Sequence, residues 1–77
     1  MNKERRNALY KIVNALDEKS KELEKIRDGE QDCYDNLPEG LVDSERGEAM
    51  SKNCDDLDSA VDTLEEVIDY IKGVIMR

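Results

Sequence analysis

Seventy-seven residues, 42% charged and 4% aromatic, with no Trp, Phe or His, make one small domain at most. This composition suits long solvated helices and excludes a broad globular core or a roofed catalytic pocket. The lack of His removes the commonest general base and metal ligand, and a net charge of −8 argues against direct nucleic-acid binding.

A first helix is predicted over residues 2–35. Its apolar positions alternate by three and four: Leu9, Ile12, Leu16, Leu23, Ile26, Cys33 and then Leu37, interrupted only by Lys19 and Glu30. Steps averaging 3.5 residues give one narrow seam, the pattern of helices packed side by side. Such regular filling argues against disorder despite the charge. Gly29 lies inside this helix and weakens it by about 1 kcal/mol relative to Ala.

Residues 36–43 form the connection. Asn36 can end the first helix or cap a short turn, with Pro38 tolerated in a first turn. Leu37, Leu41 and Val42 are apolar for a loop and are expected to fold back over the end of the bundle. Asp43 or Ser44 then caps a second helix over residues 44–76, with Glu45 and Glu48 near the positive end of its dipole. The seam of this helix is Met50, Cys54, Leu57, Val61, Leu64, Ile68, Ile71 and Ile75, with no charged interruption.

The expected fold is therefore all-α: an antiparallel two-helix hairpin, coiled-coil-like, in a single domain. A hairpin core this small supplies no more than about 3–5 kcal/mol. We therefore expect a homodimer whose two hairpins form a four-helix bundle. Ala60, Val67 and Val74 widen the stripe beyond what one partner helix covers, and a monomer with a partly exposed stripe is the alternative. Cys33 and Cys54 both fall on the seams, offset by about 10 Å in an antiparallel pair. That is too far for an intrachain disulfide, so two buried, reduced thiols are expected, a bridge between subunits being the alternative. No signal-like segment or run of about 20 apolar residues occurs, so a soluble, cytoplasmic protein that does not enter the membrane is expected.

The charge is unevenly spread. Residues 1–27 carry eight basic and five acidic side chains, whereas residues 28–69 carry fifteen acidic ones against Arg46 and Lys52. Asp55, Asp58, Asp62, Glu65 and Asp69 recur at steps of three and four and share one helix face, broadened by Asp56 and Glu66. One explanation is a solvated face. The functional one is a line of carboxylates that resembles phosphates and occupies a basic groove, as a DNA mimic would. The basic cluster Lys3, Arg5, Arg6 and Lys11 is expected to pair with Asp69 and Glu65 across the hairpin or on a dimer partner, rather than to bind nucleic acid.

Catalytic signatures are missing. No Gly-rich phosphate loop and no closely spaced Cys pair occurs. Asp55-Asp56-Leu57-Asp58 lacks the glycine turn and terminal Glu of a calcium loop. No enzyme activity, metal or cofactor is expected.

The stretch Gly29-Glu30-Gln31-Asp32-Cys33-Tyr34-Asp35-Asn36-Leu37-Pro38-Glu39-Gly40-Leu41, followed by Ser44-Glu45-Arg46-Gly47-Glu48-Ala49-Met50, resembles small acidic helical proteins encoded by bacteriophages and mobile elements of Gram-positive gut bacteria. The resemblance covers most of the chain, with its specificity in the turn, where Gly40 and Gly47 stand in place of the bulkier or polar residues expected. It carries no assigned activity or functional residues. It implies a phage context inside a bacterial host cell, where small acidic proteins often block nucleases or defence proteins. Tyr34, Glu39, Arg46 and Glu48 are the turn's candidate contact residues, and Arg46 is in reach of Asp43 or Asp35. The leading expectation is a non-catalytic interaction module that binds and inhibits, or tethers, a host protein with a basic surface. The alternative is a structural or assembly accessory acting through its apolar stripe.

Overall fold

Two helix starts are fixed by side-chain caps. In the computed structural model, which describes residues 1–77, Asn2 accepts the backbone N–H of Arg5 at 2.8 Å and opens helix α1, Lys3–Asp35. Ser44 accepts the N–H of Gly47 at 3.2 Å and opens α3, Glu45–Ile75. Each cap satisfies a donor that the helix itself cannot pair. Between them lies α2, a single turn over Glu39–Val42 entered through Pro38.

The chain is an all-helical hairpin, α1 and α3 packing against each other along a rod of 59 × 15 × 13 Å. They run antiparallel: Arg27 reaches Asp58, and Ser20 shares a groove with Ile68. On α3 the inward face is Gly47, Met50, Cys54, Leu57, Val61, Leu64, Ile68, Ile71 and Ile75, all buried or half-buried. Toward the open end Val13, Ile68 and Ile75 form a buried cluster backed by Leu9, Leu16, Leu64 and Ile71.

The seam of α1 departs from the sequence expectation. Leu9, Leu16, Leu23, Glu30 and Leu37 do turn inward, but the positions between them are Val13, Ser20, Arg27 and Tyr34. Ile12, Ile26 and Cys33, expected on the seam, are exposed, Ile12 by 47% and Ile26 by 63%. Both framings alternate steps of three and four, so periodicity alone cannot separate them. One layer decides between them physically. Burying the 12–19–26–33 line would draw the Lys19 ammonium out of water, which is costly without a partner. The chosen line puts small Ser20 at that layer and lets Arg27 extend to a carboxylate.

The turn is held by main-chain and cap hydrogen bonds. Asn36 donates both its N–H and its side-chain amide to the Asp32 carbonyl, at 3.1 and 2.8 Å. Leu41 N–H donates to the Pro38 carbonyl at 2.8 Å, and the Ser44 hydroxyl to the Leu41 carbonyl. Leu37 and Val42 are half-buried, but Leu41, expected to fold inward with them, is exposed. A four-residue helix packing on α3 can turn only one of two adjacent side chains onto it.

Gly47 is the crossing point. A Cβ there would overlap the carbonyl oxygens of Leu41 and Val42 and lie 2.7 Å from the Val42 carbonyl carbon. The glycine that looked out of place in the sequence is thus what allows α2 to lie against α3. Gly29, by contrast, has open space around its Cβ position. Gly47→Ala should therefore lose about 1–3 kcal/mol through overpacking, while Gly29→Ala should gain about 0.5–1 kcal/mol. Urea titrations followed by circular dichroism should show the two midpoints moving in opposite directions.

Candidate interaction surfaces

The helical positions sort the rod into two unlike sides. Along one flank run Leu9, Ile12, Leu16, Leu23 and Ile26 of α1, opposite Leu57, Ala60, Leu64, Val67, Ile71 and Val74 of α3. All are half-buried or exposed. The fully buried residues Val13, Cys54, Val61, Ile68 and Ile75 lie one step further round each helix. The hairpin contact is therefore off-centre on the apolar stripe and covers only one edge of it. The charges on the uncovered flank beside it include Lys19 and Glu22, which pair with each other at 3.0 Å.

The opposite flank is charged. Asp55, Asp58, Asp62, Glu65 and Asp69 of α3 are all exposed, as expected of a solvent-facing ridge. Asp58 alone has an ion-pair partner, the Arg27 Nε at 3.4 Å. Arg27 also holds Asp28 at 3.1 Å, and the neighbouring carboxylates raise its pKa, the Asp28 hydrogen bond most. On this side Ser20, too small to fill its layer, leaves a groove of about 290 Å³ edged by Asp17, Glu24, Glu65, Asp69 and the cations Lys21 and Lys72. No three Asp, Glu or Cys side chains converge as they would around a metal ion.

The basic cluster does not pair across the hairpin. No ion pair joins Lys3, Arg5, Arg6 or Lys11 to Asp69 or Glu65. The register explains this, because Glu65 and Asp69 stand beside Asp17–Glu24, whereas Tyr10–Asn14 are already level with Lys72–Met76, which puts Lys11 at the last turn of α3 and Lys3, Arg5 and Arg6 further along. Arg6 is half-buried with its Nε unpaired. At the turn Glu39, Arg46 and Glu48 are exposed and Tyr34 is half-buried on the seam. Arg46 forms no ion pair with Asp43 or Asp35. The sequence reading missed Arg27, whose position one step past Ile26 matters only once the seam is correctly framed.

Both cysteines are free, but their surroundings differ. Burial pushes the Cys54 thiol up, with Glu30 and Asp55 adding to the shift. Comparison of the chain with protein-family models, with curated proteins and with solved structures returns no match.

The contrast predicts a split in thiol chemistry. Cys33 should react with an aromatic disulfide reagent at the rate of an exposed thiol, and Cys54 only as the hairpin opens. The raised Cys54 pKa favours the folded state fully below the ordinary thiol pKa and loses that contribution as pH rises through the elevated value. Reagent stoichiometry with and without denaturant, followed from neutral to alkaline pH, checks both statements.

Proposed function

We propose that this protein is a non-catalytic interaction module that binds a partner with a basic surface through the acidic flank of α3, and so inhibits or tethers it. The observation that carries this is the segregation of charge. The carboxylates occupy the side away from the apolar flank, and four of the five ridge residues have no cation partner. Asp32 and Asp35 support it further, standing at the negative end of the α1 dipole where helix stability favours cations. The resemblance of the turn to phage-encoded proteins supplies the partner class: a host defence or nucleic-acid-binding protein.

The uncovered apolar flank favours a second reading, a structural accessory that spaces or scaffolds other components. The two differ in salt response. Binding through the ridge weakens steeply as ionic strength rises, while apolar docking barely responds.

Asp58 is a poor position for testing the ridge, because removing it also takes away the carboxylate that Arg27 reaches across the hairpin. Asp55→Lys, Asp62→Lys and Asp69→Lys together leave that pair intact. A partner captured from host lysate should be lost on the triple reversal, and wild-type affinity should fall about tenfold or more between low and high salt. Retention of the partner by the reversed protein, with helicity unchanged, would rule out the ridge as the contact.

A further inference from the structure

We propose that the uncovered apolar flank is the interface with a second copy of this chain, and that the two hairpins lie antiparallel with their turns at opposite ends of the bundle. This inference stands apart from whatever the acidic ridge binds.

Area allows a partner. The hairpin exposes 6018 Å², whereas a compact monomer of 8.8 kDa exposes about 4,800 Å². The excess, about 1,200 Å², comes with the 59 × 15 × 13 Å rod shape and leaves room for the ~800 Å² that each side of a stable interface buries. The flank has the character of such a surface: Ile12, Ile26 and Val67 are 47%, 63% and 41% exposed. They stand beside half-buried Leu16, Leu23, Leu64 and Ile71. Four helices sharing the line of leucines would bury these apolar side chains at once, while Lys19, between Ile12 and Ile26 on the same line, lays its stem along them and keeps its ammonium at the water-facing edge beside Glu22.

Charge argues that the partner is a reversed copy. The patch spans residues 9–26 of α1 and 57–74 of α3, so its middle lies near Asp17 rather than at either end of the rod. The turn end, residues 28–48, holds eight acidic side chains and one basic, Arg46. The open end, residues 1–11 with 70–77, holds Lys3, Arg5, Arg6, Lys11, Lys72 and Arg77 against Glu4 alone. Stacking two hairpins with turns together places like charge against like at both ends. Reversing one about the middle of the patch sets Arg5 and Arg6 of one copy beside the Asp28–Asp32 segment of the other. Such complementarity fixes register and orientation. It also supplies carboxylates for the N-terminal cations that are unpaired within one hairpin.

Cys33 reports the orientation, being exposed and on the edge of this flank. In the antiparallel pair the two Cys33 residues lie about 48 Å apart, at 1.5 Å per residue from the midpoint. In the parallel pair they are neighbours. Light scattering on the native protein should give twice the chain mass, and nitroxides on Cys33 should give a long distance near that value. A short maleimide crosslinker should then join no subunits through Cys33. A short distance or efficient crosslinking would overturn the antiparallel arrangement. A monomeric mass at about 100 µM, a concentration at which even a ~10 µM dimer is mostly associated, would overturn the interface itself. Ile12→Lys with Val67→Lys, at positions that a lone hairpin leaves in water, should halve the mass; a dimer that survives both substitutions overturns the assignment of this face.

Discussion

The structure depends on a mismatch of widths. Each long helix carries an apolar stripe about three positions wide, and a single partner helix can cover only one edge and the centre of it. The hairpin settles on the edge that buries Val13 against Ile68 and Ile75 and leaves Ile12, Ile26 and Val67 outside. Only five hydrophobic side chains are buried, a core too thin to hold a rod of this length with much margin. The exposed apolar flank and the segregation of charge both go with that offset.

Charge is unevenly placed about the apolar flank. The carboxylates of α3 collect on the side away from that flank, at Asp55, Asp62, Glu65 and Asp69. Arg27 is the one cation that crosses the hairpin boundary, and it does so from a seam position where a leucine would pack better. Its pair with Asp58 is partly solvent-screened and contributes little energy. It does not by itself fix the register, since Asp28 moves with Arg27 on α1 and Asp55 and Asp62 stand one turn to either side of Asp58. The alignment is marked instead by the Val13, Ile68 and Ile75 cluster and by Gly47, which alone admits the α2 backbone.

The general shape was legible because period, cap residues and turn composition agree: Asn2 and Ser44 cap, Asn36 ends α1, and the α3 seam contains no competing charge. The seam of α1 was not. Leu9, Leu16 and Leu23 belong to both possible framings, and Ile12 and Ile26 look better as core residues than Ser20 and Arg27. What separates them is a property of the pair, namely which edge of α1 meets α3, and a single helix's periodicity does not hold it. Gly47 failed to read for a related reason. Its role comes from backbone atoms of Leu41 and Val42, close in space because α2 folds back. The acidic ridge was visible as spacing, but that it lies opposite the apolar flank depends on the same pairing geometry.

The offset also bears on how a partner would be engaged. With the apolar flanks of two hairpins facing each other, the acidic flanks are forced outward, one on each side of the bundle and pointing away from each other. Reversal of the hairpins then turns the two ridges in opposite directions along the axis. A basic partner bound to one ridge leaves the other free for a second copy, so a dimer of this kind links two partner molecules rather than gripping one from both sides. A multivalent partner, such as a protein arrayed along nucleic acid, would be held with an avidity beyond that of either ridge alone. A monomeric hairpin with the same five carboxylates could only cap its target. The distinction between tethering and simple occlusion therefore comes down to whether Ile12, Ile26 and Val67 meet water or each other.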